Sequence, residues 1–154
     1  MVEETEFRST YRAVNERRCV FEKTILSRHC SCLCSTRFFL ADREGIHCES
    51  GQAQQRCTEL LAIMRDKARF ALKLKTVAGA LPHTYEIKVQ SGGMLGLQRA
   101  LHPELLSRTE VEDIAGLIAR GIRTYGSLDD FPFQEITRSI ASYEGRKRRS
   151  RSDH

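Results

Sequence analysis

The stretch QAQQRCTELLAIMRDKARFALKL, residues 52–74, has the clearest secondary-structure pattern in the chain. Its apolar side chains recur at the i, i+3, i+4 and i+7 spacing of an amphipathic helix, at Cys57, Leu60, Leu61, Met64, Ala68 and Ala71. Ser50 precedes this stretch and is the predicted N-cap, because its hydroxyl can accept a hydrogen bond from a free backbone N–H of the first turn. This stretch is therefore the strongest predicted helix in the chain.

The segments around this helix predict further helices and one strand. Residues 11–28 predict a helix with Cys19 near its middle, and residues 35–46 predict one short element that turns at Gly45. The alternation in HTYEIKVQ, residues 83–90, predicts a strand of about six residues. Three more helices are predicted over residues 94–102, from a Thr109–Glu112 capping box to Gly126, and over residues 133–143. The predicted fold class is a small, mainly α domain with a cysteine-rich N-terminal half and at most one short strand or hairpin.

The length and composition indicate one soluble globular domain. The chain has 154 residues, of which 40% are hydrophobic and 29% are charged. We expect a cysteine-rich helical metal-binding region at 1–76, a helical interaction region at 77–144 and a basic disordered tail at 145–154. The sequence shows neither an apolar signal segment nor a run of 18 apolar residues, so we expect a cytoplasmic protein that could lie peripherally on a membrane complex.

The net charge of +5 is concentrated at the C-terminal end. Residues 145–154 carry one acidic side chain against five basic ones, Arg146, Lys147, Arg148, Arg149 and Arg151. This tail is expected to make at most weak contacts with an anionic membrane surface or with nucleic acid. Residues 8–43 carry a second excess, eight Lys or Arg against three acids. Cations in this region would favour thiolates, although a solvated basic face explains them equally well.

All six cysteines lie within residues 19–57, at Cys19, Cys30, Cys32, Cys34, Cys48 and Cys57. In a reducing compartment such a cluster favours metal binding over disulfides. The spacing lacks the C-x2-4-C pairs of structural zinc sites and the regular ferredoxin runs, but iron–sulfur clusters accept ligands from separate elements. We therefore predict one iron–sulfur cluster, of the [4Fe–4S] type, bound by Cys19, Cys48, Cys57 and either Cys30 or Cys32, with Cys34 as a spare. Zinc and metal-free buried thiols are the alternatives.

These features predict an electron carrier or an accessory subunit of a larger redox complex, with a larger redox protein as its partner. The alternative is a zinc-stapled module for protein or nucleic-acid interaction, and a metal-free helical scaffold is a third hypothesis. No catalytic triad or nucleotide-binding motif is visible, so a non-catalytic subunit is favoured over a stand-alone enzyme. The glycines at 92, 93 and 96 are interpreted as a tight strand-to-helix turn, with phosphate binding as the weaker reading.

Overall fold

The computed structural model describes residues 15–72 and 81–144 of the chain. In these ranges the elements are α1 (Glu22–Leu26), β1 (Ser35–Leu40), β2 (Arg43–Cys48), α2 (Gly51–Ala71), α3 (His83–Ile87), a π-helical turn (Lys88–Gly92), α4 (Gly93–Leu101), α5 (Ile114–Tyr125) and α6 (Phe133–Ser142). Short 3-10 turns lie at Pro103–Leu105 and Leu128–Asp130. The described chain is therefore mainly helical with one small antiparallel hairpin, as the sequence predicts.

Helix α2 forms where the periodicity predicts it. The Ser50 hydroxyl accepts a 3.1 Å hydrogen bond from the Ala53 amide, which confirms the predicted N-cap. The buried side chains follow the apolar stripe, at Cys57, Leu60, Leu61, Met64 and Ala68. This helix packs against α5 and α6 and forms the centre of the core.

The strand predicted over residues 83–90 is wrong. His83–Ile87 is helical and continues through the π-helical turn into α4. The alternating pattern misleads because Glu86, on the side that looks polar, is buried and forms an ion pair with Arg65 of α2. Gln90 is also buried, so polar side chains occupy core positions that a hydrophobicity pattern assigns to solvent.

The glycines that follow are neither a turn nor a phosphate loop, because they lie within the continuous helix. A Cβ added at Gly92 would lie 2.9 Å from the Ile140 Cα and 2.9 Å from the Tyr143 Cβ, and one at Gly96 would lie 2.7 Å from the Ser139 Cβ. Real Cβ contacts are not this short, so these glycines let α4 and α6 pack closely together.

The helix predicted over residues 11–28 is much shorter than expected. Residues 11–14 lie outside the described ranges, and residues 15–21 form turns and a bridge to β2. The Cys19 amide donates to the Ile46 carbonyl (3.0 Å), and the Cys48 amide donates to the Arg17 carbonyl (2.8 Å). These backbone bonds to β2 replace helical ones, so Cys19 lies before α1 and not in mid-helix.

Helix α1 ends in a Schellman motif. Arg28 has a φ of 65°, the His29 amide donates to the Thr24 carbonyl (3.1 Å), and the Arg28 amide donates to the Ile25 carbonyl (3.0 Å). Glycine is the residue most often found at the Arg28 position of this motif. The motif turns the chain away from α1 into the cysteine-rich loop that follows.

The hairpin and the start of α5 also differ from the sequence prediction. The hairpin turns at Ala41 and Asp42, whereas Gly45 lies within β2 opposite Phe38. The Thr109–Glu112 capping box is absent, because α5 begins only at Ile114 and the Glu112 side chain accepts a hydrogen bond from Arg108.

One hydrophobic core joins the described parts of the predicted regions 1–76 and 77–144. It includes Phe21 and Ile46 from the first region and Met94, Ile118 and Ile136 from the second. The predicted tail, residues 145–154, lies outside the described residues. Among residues 15–72 and 81–144, no helix is long and apolar enough to span a bilayer.

Candidate metal centre

Five cysteines line one cavity between the hairpin, α2 and α5: Cys19, Cys32, Cys34, Cys48 and Cys57. They come from four parts of the chain, namely the segment before α1, the loop before β1, the end of β2 and the second turn of α2. Thiols that are far apart in sequence therefore face one another, as a shared site requires.

Backbone pairing positions Cys19 and Cys48. The two hydrogen bonds that join residues 17–19 to residues 46–48 hold both cysteines on adjacent segments. The thiol of Cys48 donates a 3.1 Å hydrogen bond to the Ser50 carbonyl, just ahead of α2. This pairing ties Cys19 to the hairpin, so its position depends on the fold of β2.

The π-helical turn holds the segment that follows Cys19. Gln90 accepts a hydrogen bond from the Thr24 amide (3.1 Å) and donates one to the Val20 carbonyl (3.2 Å), while the hydroxyls of Thr24 and Ser91 lie 2.7 Å apart. All of these partners except Val20 are buried. A π-helical turn often occurs at functional sites, and here it supports one wall of the cysteine cavity.

The loop that carries Cys32 and Cys34 is held at both ends. The Ser35 hydroxyl donates to the Cys32 carbonyl (2.6 Å), and the Glu49 amide donates to the Cys34 carbonyl (2.7 Å). Between them, the Leu33 amide donates to the Asp113 carboxylate (2.9 Å) at the start of α5. Asp113 is a positioning residue that the sequence does not reveal, because 80 positions separate it from Leu33.

The other walls of the cavity are largely apolar. Val20, Phe21, Ala53, Ile114 and Ala115 contribute to the lining. Apolar walls limit access of water to the sulfur atoms, and the hydrophobic surroundings of a metal site influence its redox potential.

Burial keeps the thiols of Cys19 and Cys57 protonated. Burial is the largest cause of the rise in the pKa of Cys19 to about 12. A hydrogen bond from the Phe21 backbone partly offsets this rise, and the sulfurs of Cys32 and Cys48 add to it. Burial likewise raises the pKa of Cys57, and the sulfur of Cys19 raises it further. At neutral pH these groups are thiols, so a metal that binds them must displace their protons.

Two backbone groups lie against the sulfur of Cys32. Burial raises the pKa of Cys32 above its ordinary value, while hydrogen bonds from the backbone of Ala115 and Cys34 partly offset this rise. Backbone N–H groups directed at a sulfur stabilise the thiolate form. Cys32 thus has surroundings expected of a ligand.

Cys30 does not line the cavity. It lies in a bridge with Val111, and burial raises its pKa to about 11 despite hydrogen bonds from the Thr24 side chain and the Val111 backbone. The structure thus brings together four of the five predicted ligands, Cys19, Cys32, Cys48 and Cys57. The predicted spare, Cys34, also lines this cavity, whereas Cys30 lies on another side of the same loop.

In residues 15–72 and 81–144, no group of three or more His, Cys, Asp or Glu side chains could hold a metal ion as placed. A tetrahedral zinc site needs sulfur atoms that all lie about 2.3 Å from one centre. The described thiols therefore line one cavity without forming a single-ion site.

Comparisons with protein-family models, with curated proteins and with solved structures found no match. Any functional assignment therefore depends on the cysteine site and its surroundings.

Proposed function

We propose that this chain is a small iron–sulfur protein that acts as an electron carrier or as an accessory subunit of a larger redox complex. Cys19, Cys32, Cys48 and Cys57 hold one [4Fe–4S] cluster, and Cys34 is the spare thiol. The observation that carries the proposal is that five cysteines from four chain segments line a single cavity.

A cluster suits this arrangement better than a single ion does. In a [4Fe–4S] cluster each cysteine binds a different iron, so the four cysteine sulfur atoms lie further apart than the ligands of one zinc ion. Thiols that share a cavity without converging on one point are compatible with a cluster once the cavity widens.

The cavity must widen to admit a cluster. The space between the cysteines is about 10 Å³, which is close to the minimum for one water molecule. We expect the Cys32–Cys34 loop to be the wall that moves, because Leu33 at its tip is 84% exposed, and this movement would break the hydrogen bond from the Leu33 amide to Asp113. Cluster binding would shift this loop outward while α2 and the hairpin stay in place.

The position of the site also suits electron transfer. Cys19, Cys32 and Cys34 are each partly exposed, so a cluster between them lies close to the protein surface. A cluster held by these cysteines would supply one-electron redox chemistry with no change in the bonds of the polypeptide. The exposed Leu33, between Cys32 and Cys34, would offer a partner an apolar contact.

The decisive experiment is anaerobic purification of the full chain, followed by an absorption spectrum and by measurement of iron, sulfide and zinc per chain. We expect a broad band near 400 nm with about four irons and four sulfides per chain. Stoichiometric zinc without colour would overturn the proposal in favour of a zinc-stapled interaction module. If the chain takes up neither iron nor zinc after anaerobic reconstitution, both metal hypotheses fail.

A further inference from the structure

A second cavity, of about 640 Å³, lies on the other side of Cys19. Its walls come from the segment before α1, from α1 itself, from α2 and from the α3–π turn. Cys19 and Val20 line both this cavity and the cysteine cavity. The two spaces are therefore neighbours, separated by the short segment that carries Cys19, and the second falls within the size range of small-molecule sites.

The charged side chains of this cavity leave an excess of positive charge. Four cations line it, Arg18, Lys23, Arg65 and Arg69, together with three acids, Glu16, Glu22 and Glu86. Two of the acids are already engaged, because Glu22 accepts hydrogen bonds from Arg18 and Glu86 accepts them from Arg65.

The engaged cations keep further donors. Arg65 uses Nε and Nη2 on Glu86, which occupies two of the five N–H groups of its guanidinium. Its side chain is 40% exposed, whereas that of Glu86 is 6% exposed, so the ion pair presents its cation to the cavity and buries its acid. Lys23 lies on α1, Arg65 and Arg69 lie on α2, and all three residues line the cavity.

We propose that this cavity, here named the basic cavity, binds a small anion that carries phosphate or carboxylate groups, next to the cluster-binding cysteines. Guanidinium and ammonium groups on facing walls form charge-assisted hydrogen bonds with such oxygens. The proposed anion-binding side chains, Lys23, Arg65 and Arg69, hold no cluster, so the anion site stands independently of the metal. Its role as a substrate or effector site beside a redox centre rests on the proposed function.

The test is calorimetric titration of the full chain with inorganic pyrophosphate and, separately, with citrate, at low ionic strength because salt screens such contacts. The double variant Lys23→Gln/Arg69→Gln should weaken binding of the preferred anion by about tenfold. The double variant Arg148→Gln/Arg149→Gln removes the same charge from the basic tail and should leave the affinity unchanged. The charge-conserving pair Lys23→Arg/Arg69→Lys should retain most of the binding and controls for loss of fold.

Saturable binding that only the cavity variant weakens would support the basic cavity, and the preferred probe distinguishes phosphate from carboxylate. Absence of binding for both anions, or equal losses in the cavity and tail variants, would overturn it. The electron paramagnetic resonance spectrum of the reduced cluster should change when the anion is bound. If iron is absent but the cavity variant still loses anion binding, the iron–sulfur proposal fails and the anion site stands.

Discussion

Arg65 of α2 and Glu86 of α3 form a two-hydrogen-bond ion pair, with Nε 2.8 Å from Oε1 and Nη2 2.9 Å from Oε2. Gln90 adds a third hydrogen bond to the same carboxylate, at 2.6 Å. Burial by itself raises the pKa of Glu86, but these hydrogen bonds and the charge of Arg65 outweigh it and hold the pKa below its ordinary value of 4.5. The pair therefore links two helices that form one wall of the basic cavity.

This pair makes stability depend on pH in the acid range. Because the pKa of Glu86 is lower in the folded state than in the unfolded state, its contribution is present above about pH 4.5 and is lost as the pH falls through the folded-state value. Glu86→Gln should lower the free energy of unfolding by about 1–3 kcal/mol at pH 7. Between pH 5 and pH 3, the free energy of unfolding should decrease less in this variant than in the natural chain. Urea denaturation measures both quantities.

The matched control is Glu59→Gln, at an exposed position on α2. It should change the free energy of unfolding by less than about 0.5 kcal/mol at either pH. If Glu86→Gln kept the full acid-dependent loss of the natural chain, Glu86 would not be the group responsible.

Cysteine variants should separate ligands from bystanders. Cys57→Ser should abolish cluster binding, because Cys57 lies on the rigid helix α2 and lines the cavity. Cys30→Ala should keep its iron, because that thiol faces Thr24 and Val111 and not the cavity. Iron per chain and absorbance near 400 nm, both after anaerobic reconstitution, measure the difference.

Cys34→Ser tests the choice between the two cysteines of the exposed loop. We expect it to keep the cluster, whereas Cys32→Ser should lose it, because two backbone groups form hydrogen bonds with the sulfur of Cys32. Loss of iron in Cys34→Ser with retention in Cys32→Ser would reverse the assignment of the fourth ligand.

The close packing of the π-helical turn and the start of α4 on α6 depends on glycine. Gly92→Ala should lower the free energy of unfolding by about 1–3 kcal/mol, because the new methyl group would lie 2.9 Å from the backbone of Ile140. Gly51→Ala is the control, since a methyl group there meets only the Arg17 side chain at 3.7 Å. That variant should be as stable as the natural chain or up to about 1 kcal/mol more stable. Equal effects of the two changes in urea denaturation would contradict this account of α4.

The end of α1 offers a stabilising substitution. Arg28 has a φ of 65°, a conformation that costs a residue with a Cβ about 1–2 kcal/mol. Arg28→Gly relieves this cost but gains backbone freedom in the unfolded chain, so we expect a net gain of about 0.5–1 kcal/mol. Arg28→Ala removes the charge and keeps the Cβ, and it should bring no gain. A thermal melt of the three proteins tests this, and equal melting temperatures for the Gly and Ala variants would disprove it.

The sequence predicted the long helices but not the short, buried elements. Helices α2, α5 and α6 have apolar stripes long enough to specify their type locally. The segment at 83–92 misled because its buried polar groups, Glu86 and Gln90, are satisfied by partners on α1 and α2. A single-sequence pattern cannot show such partners.

What the sequence by itself determined is the α-rich fold, the Ser50 cap of α2 and the concentration of thiols in residues 19–57. Only the tertiary structure decided which thiols meet. Cys30 and Cys32 are two positions apart, yet one faces Val111 and the other faces the shared cavity. The physical reason is that hydrogen bonds to distant residues fix the direction of each cysteine segment. The Cys19 amide donates to the Ile46 carbonyl and the Leu33 amide donates to the Asp113 carboxylate. Local propensity carries no information about those partners.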